Sequence, residues 1–312
     1  ETKVIDFLGK KKIFFILSAV VIIAGFVTMG VHKGNGGDAL NYSLEFKGGT
    51  STSVEFNEDM SIEELDEKVV PIIEEISKDA NVQTQKVQGS NQVIFKSATL
   101  DVSQREELNS RLEEEFGVDP EKITAETISS TISSEMRTGA VSAVVVSTVL
   151  MLLYVWFRFK DVRFGASSVA ALVHDVLVVL AFYAAARVSV GNTFIACMLT
   201  IVGYSINATI VIFDRIRENM TSYKTKEELA AIVNRSISQT LSRSIFTSLT
   251  TFIMVAVLYI LGVSSIKEFA LPLMVGIACG TYSSICLASA FWYLLRTRVG
   301  GKKAEKDKKA AK

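Results

Sequence analysis

Cysteine is scarce: three occur in 312 residues, Cys197, Cys279 and Cys286, all within apolar runs. That pattern excludes a disulfide framework and leaves no CxxC spacing for a metal. Histidine is rarer still, with only His32 and His174, far apart in the chain. No HExxH, GxSxG or Walker loop is present, so the hydrolase, metalloprotease and nucleotidase readings have no motif behind them. His174 beside Asp175 looks like a fragment of a catalytic triad, but both fall inside an apolar run with no nucleophile nearby. No catalytic residue, metal or cofactor is expected. Net charge is missing as well, 33 Lys and Arg balancing 33 Asp and Glu.

What the chain has is apolar surface, concentrated in blocks: 49% of residues are hydrophobic and the mean hydropathy is +0.34. The zero net charge averages two opposed regions. Residues 38–135 hold 22 acidic and 8 basic side chains, a net of −14, so the remainder carries +14. An acidic aqueous domain among membrane spans with basic flanks would produce this segregation, and neither part has the character of a nucleic-acid binder. A helix needs roughly 20 residues to cross about 30 Å of hydrocarbon. Six runs qualify, near residues 13–31, 138–157, 164–186, 192–213, 243–262 and 269–295. The first follows Lys10, Lys11 and Lys12 but lacks a small-residue cleavage pattern, so it is expected to be a retained span rather than a signal peptide. Residue 1 is glutamate, which leaves open a trimmed chain or a piece of a longer polypeptide.

Short basic loops set the expected orientation. Arg158, Lys160 and Arg163 lie between spans two and three; Arg215, Arg217, Lys224, Lys226 and Arg235 lie between four and five. Both loops and both termini are then cytoplasmic in a multi-pass protein, and the lysine-rich tail is a topology anchor and solvated segment. The expected divisions are 1–37 (cytoplasmic segment and first span), 38–135 (outer domain), 136–295 (spans two to six) and 296–312 (basic tail). Within the outer domain, "STSVEF" alternates like a strand and Ile62 to Ile76 has helical spacing behind a Ser61 cap. "VQTQKVQ" and "NQVIFKS" flank a Gly-Ser-Asn turn, and a helix from Ser103 to Phe116 precedes the strand "KITAETIS". The order βαββαβ predicts a ferredoxin-like α+β fold.

Polar groups inside the spans are the candidate functional residues, since a charge at bilayer depth is costly unless it faces protein or a wet cavity. At 100° per residue, Thr200, Gly203, Tyr204, Asn207 and Asp214 share a stripe on span four, with Ala208 and Arg215 beside it. Span five carries Ser236, Gln239, Thr240, Arg243, Thr247 and Thr250 on one face, and span three places His174 and Asp175 near mid-membrane. Two readings stay open: a proton or ion pathway, or hydrogen-bonded glue between helices. The stripes are expected to face protein, either each other or a partner. Gly276 and Gly280 have the small-xxx-small spacing of close helix packing. Gly48 and Gly49 read as a turn into a strand.

Ordered motifs then combine: "LEFKGGT" after span one, "RF" and "HDV" around span three, "GYSINATIVIFDRIREN" in span four, "SQTLSRSIFTSLTT" in span five and "FALPLMVGIACGTYSSICLAS" in span six. Together they resemble the SecF family, which works with SecD in bacterial protein export and is related to the resistance-nodulation-division transporters. The resemblance implies a bacterial inner-membrane subunit with six spans and an outer domain. It also implies that the proton motive force, or a sodium gradient, helps preproteins leave the Sec channel of SecY, SecE and SecG and its associated factors. Its partners would be SecD, that channel, the emerging polypeptide and the lipid bilayer. The family usually reads "SIND" where this chain has Ser205, Ile206, Asn207 and Ala208. Position 208 would carry the proton and Arg243 would partner it, yet alanine cannot bind a proton. Glu45, followed by Phe46, Gly48 and Gly49, replaces the family's aspartate with charge retained. If the relay has moved, Asp175 and Asp214 are the candidates. The alternatives are a scaffold subunit that conducts no ions itself, or a lipid or small-molecule exporter of the wider superfamily.

Overall fold

The computed structural model describes residues 4–35, 37–80, 82–87, 90–159, 161–220 and 225–297, the side chains of residues 264 and 265 aside. Lys160, Lys224, Gly89 of the predicted turn, and the tail from residue 298 lie outside the described residues. In chain order, α1 (Lys11–Gly34) leads to β1 (Asn41–Tyr42), a one-turn α2 (Leu44–Lys47) and β2 (Gly49–Glu55). Next come α3 (Ile62–Lys68), α4 (Val70–Ser77), β3 (Gln83–Lys86), β4 (Gln92–Ser97), α5 (Val102–Phe116) and β5 (Ile123–Ile128). Long helices follow: α6 (Ser130–Phe159), α7 (Val162–Ala186), α8 (Asn192–Asn219) after the two-residue β6 (Ser189–Val190), α9 (Lys226–Leu261) and α10 (Ser264–Tyr282). The last runs on through a π-helical segment, Ser283–Ala288, to Thr297.

Six of these helices are long and apolar enough to cross a membrane: α1, α6, α7, α8, α9 and the continuous Ile266–Thr297. The chain divides into two compact bodies, one of residues 1–41, 143–189 and 193–312, the other of 42–142 and 190–192.

In the helical body, α7, α8, α10 and the first half of α9 carry most of the buried side chains, and α1 and α6 keep most of theirs outward. Exposed apolar residues such as Ile13, Val20, Leu150, Phe157 and Leu261 need hydrocarbon around them rather than water. The core near one end stacks Phe164 on Trp292, with Phe159 and Phe213 packed edge-on. Asp161 caps α7 by accepting from the Arg163 amide, and Thr225 caps α9 through the Glu228 amide. Helix α9 begins well before the apolar run that defines span five. Leu229, Val233 and Ile237 recur one turn apart and are buried, which extends the helix through a charged segment.

The second body holds a four-stranded antiparallel sheet in the order β3-β4-β2-β5. Thr50 to Glu55 pairs with Ser97 to Gln92, and Gly49 to Val54 with Ile128 to Ile123. Its core joins Val54, Phe56, Val93 and Phe95 of the sheet side to Leu65, Ile73, Leu108 and Leu112 of the helices. Each such burial contributes roughly 1.5–3 kcal/mol before chain entropy is set against it. Ser61 with Glu64, and Asp101 with Gln104, form capping boxes that fix the starts of α3 and α5. The expected single helix from Ile62 to Ile76 is two. Pro71 in the first turn of α4 has no N–H to extend α3, so α3 stops at Lys68.

Candidate functional site

Asp175 lies mid-way along α7, about 20 Å from Val162 at 1.5 Å per residue. It is 0% exposed, and His174 beside it is 7% exposed. Four groups surround its carboxylate. Ser205 of α8 donates to Oδ2 at 2.5 Å and Ser283 of the π segment at 2.8 Å, while Oδ1 lies 3.0 Å from His174 Nδ1 and 3.3 Å from Cys279 Sγ. Ser283 also has the Gly280 carbonyl at 3.2 Å as an alternative acceptor. One carboxylate therefore ties three spans together.

Close packing brings those donors in. A Cβ on Gly276 would lie 2.2 Å from Ile201 Cδ1, and one on Gly280 would lie 3.1 Å from Ser205 Cβ. Glycine at these two positions lets α10 approach α8 until Ser205 reaches Asp175. One turn along, Thr209 and Ser284 hydroxyls are 2.8 Å apart, and Ser284 donates to the Ser205 carbonyl at 3.2 Å. The π segment shifts the hydrogen-bond register of the helix, re-aiming Ser283 and Ser284; such insertions recur at functional sites. His174 Nε2 is buried with no hydrogen-bond partner among the described residues. His174 and Cys279 also border an apolar cavity of about 490 Å³ between α1, α7, α9 and α10. His174, Asp175 and Cys279 are the one cluster of metal-competent side chains found among the described residues. Hydrogen bonds within the cluster account for the grouping, and no metal is assigned to it.

The other candidates are not gathered here. Thr200, Asn207 and Arg243 are exposed on this chain, and Ala208 is half-buried. Ser205 and Thr209, on the opposite face of α8, take the buried side because α10 packs there. Arg243 and Asn207 have no side-chain hydrogen bond or ion pair among the described residues, whereas Asp214 pairs with Arg158 at 2.7 Å. Gln239 accepts from Asn219 at 2.8 Å, and Thr240 bonds back to its own helix. Thr200, Thr247 and Thr250 likewise bond to carbonyls three or four residues back, which satisfies a hydroxyl without a partner helix. The Tyr204 hydroxyl is buried and unbonded among the described residues.

In the second body, Glu45 accepts from the Asn192 amide at 2.7 Å, placing a carboxylate on the first residue of α8. A Cβ on Gly191 would meet Glu45 Oε2 at 2.6 Å. Phe46 is buried, and Gly48 and Gly49 hold φ of 76° and 121°, a left-handed path that starts β2. A Cβ on Gly49 would be 2.2 Å from the Ser97 carbonyl of β4.

Residues 108–298 match the family model described as protein export membrane protein SecD/SecF, C-terminal. Protein translocase subunit SecF of Sebaldella termitidis is 36% identical over 301 residues, covering 96% of this chain and 94% of the relative. The chain belongs to the SecD/SecF family. The SecDF protein of Bacillus subtilis is 34% identical over 94% of this chain, which spans 38% of that longer relative. A crystal structure of SecDF from Thermus thermophilus, titled a translocon-associated membrane protein, superposes with a TM-score of 0.78 at 35% identity. It covers 95% of this chain and 39% of its own. SecD is thus a partner of the SecD/SecF type of chain, fused in these relatives.

Within this SecD/SecF chain, sequence reasoning named His174 and Asp175 but not Ser205, Cys279 and Ser283. Ser205 is two residues, or about 200°, from Asn207, so the stripe drawn through Asn207 excluded it. Cys279 lies in an apolar run, and Ser283 follows the Gly276 and Gly280 packing pair, so neither stands out as polar in the sequence.

Proposed function

We propose that this chain is the SecF-type half of an accessory complex that uses the proton motive force, or a sodium gradient, to promote preprotein export through the Sec channel of SecY, SecE and SecG. The observation that carries the reading is the polar face of α8 and α9 left open by this chain. Thr200, Asn207, Arg243 and Thr247 are exposed on helices otherwise suited to hydrocarbon. Polar side chains at that depth call for a protein partner. A SecD-type half is the natural occupant, given that relatives carry both halves in one chain.

The second body supports the rest of the reading. Its strand order, with α3 and α4 in place of the first helix and α5 as the second, fits a ferredoxin-like domain at 38–135, and its acidity, against the basic loops, fits an extracytoplasmic position with cytoplasmic termini. Residues 136–295 then form spans two to six in the bacterial inner membrane, with 296–312 as a tail. No enzymatic step is assigned to it.

The test is reconstitution of the chain with its SecD-type partner and the Sec channel in proteoliposomes. Export of a preprotein should fall when the ion gradient is collapsed, and Arg243→Gln should weaken assembly with the partner or the gradient response. Export indifferent to the gradient sinks the energy-coupled reading. The scaffold reading draws on Ala208, which leaves Arg243 facing no carboxylate among the described residues.

A further inference from the structure

We propose that the His174–Asp175 pair holds one exchangeable proton, and that this buried site on α7, rather than position 208, is where the chain itself binds its coupling ion. The inference rests on the export reading for its purpose but not for its chemistry.

Charge balance makes the argument. Asp175 is fully buried at mid-span, and no Lys or Arg contacts it among the described residues. His174 is the sole group in contact that can supply a positive charge. The pair is electrically neutral in just two states, neutral histidine beside a protonated carboxyl, or imidazolium beside carboxylate. Both contain one proton more than the fully deprotonated pair, and losing it leaves a net charge at bilayer depth. Ser205, Ser283 and Cys279 can each donate to the anion, which is what a site needs if it is to tolerate the deprotonated state briefly.

The imidazole is oriented as a carrier between two environments. Nδ1 faces the carboxylate at 3.0 Å, and Nε2 is buried without a partner on a residue that also lines the 490 Å³ cavity. A histidine holding one nitrogen for a carboxylate and the other free passes a proton by taking it on one side and releasing it on the other. The titratable groups facing the pair from the packed helices are Cys279 and Tyr282, both of α10, the Tyr282 ring centroid lying 6.1 Å from that of His174. Helix α8 presents Ser205, α1 presents Ser18 and α9 presents Phe252, none of them charged. Proton loss withdraws a hydrogen from the site where α7, α8 and α10 meet, so occupancy is coupled to the packing of the three helices.

Difference infrared spectroscopy of the full chain with its SecD-type partner, between alkaline and acid pH, tests this directly. One carboxyl band should appear in the difference spectrum, vanish in Asp175→Asn, and move in frequency or intensity in His174→Gln, as expected of a proton shared by the pair. Spectra of the parent and Asp175→Asn complexes that superimpose would overturn the proposal. A band that follows sodium concentration at fixed pH would also overturn it, by making sodium the ion. Should Asp175→Asn prevent folding, the parent and His174→Gln spectra still decide, because an unchanged band refutes the pair. Gradient-driven export that survives Asp175→Asn removes this site and leaves the export reading standing. A titrating Asp175 in a complex that exports without regard to the gradient does the reverse.

Discussion

Substituting Gly276 with alanine should destabilise the helical body, while the same change at Gly203 should not. Both are interior positions of long helices, so each substitution gains the same helix propensity, about 0.8–1 kcal/mol. Their surroundings differ. A Cβ at Gly203 meets nothing within 4 Å, but one at Gly276 falls 2.2, 2.4 and 3.2 Å from Cδ1, Cγ1 and Cγ2 of Ile201. Carbon atoms prefer about 3.5–4.0 Å, so Cδ1 must retreat by about 1.3 Å or more. Ile201 is wholly buried and has no open side to retreat into. Overpacking of this kind costs about 1–3 kcal/mol. Since propensity cancels between the two variants, their difference reports the steric term alone. Denaturant unfolding in mixed micelles measures it, with Ile201→Val as the second arm because that change deletes Cδ1. The double variant should recover at least about 0.5 kcal/mol relative to the sum of the single effects. If Gly276→Ala tracks Gly203→Ala, or the double variant is strictly additive, α8 and α10 are not in the contact described, and Ser205 is not held against Asp175 by it.

Restoring a carboxylate by Ala208→Asp should raise gradient-dependent export by about tenfold if position 208 is a disabled relay, the scale of one pKa unit of driving force. No change, measured in the same proteoliposomes, favours Asp175 or a scaffold role. In the second body, Ser61→Ala should cost about 1 kcal/mol, seen as faster amide exchange across α3. The same helix starts should loosen in acid. The Ser61 amide holds the Glu64 carboxyl below its ordinary 4.5, and the Ser103 hydroxyl, with the Gln104 amide, holds Asp101 below 3.8. Depressed values mean that the stabilisation is complete above those figures and is lost as pH falls through the lowered ones, so exchange at the starts of α3 and α5 should rise only there. Glu45→Ala should expose the Asn192 amide and speed its exchange, at a cost of about 1 kcal/mol, while Glu45→Asp keeps much of the protection.

The spans were legible because hydrocarbon imposes a single requirement, a long apolar helix, and runs such as "IFFILSAVVIIAGFV" meet it without help from any other part of the chain. The second body was legible for a related reason. Period-two alternation in β2 and the cap at Ser61 each act within a few residues. The break at Val69 was missed because apolar spacing runs unbroken from Leu65 to Ile76, and Pro71 acts by removing a donor, which periodicity does not register. The start of α9 was missed because charge lowers its hydropathy, although Leu229, Val233 and Ile237 still face the core.

The site resisted reading for a different reason, which α8 makes plain. Periodicity identifies which residues share a face but not which face a neighbour covers. Two faces of α8 carry polar groups, one with Thr200, Asn207 and Asp214, the other with Ser205 and Thr209. The 100° spacing picks out the first, which is expected to face protein, either the other stripes or a partner. On this chain it faces out, because Gly276 makes room for Ile201 and Gly280 for Ser205, which seats the Ile201 and Ser205 face of α8 against α10. That seating brings the Ser205 hydroxyl to Asp175 and leaves Asn207 exposed. The polar residues thus separate by face: hydrogen bonds around Asp175 on one side, an exposed polar surface at Asn207 and Arg243 on the other.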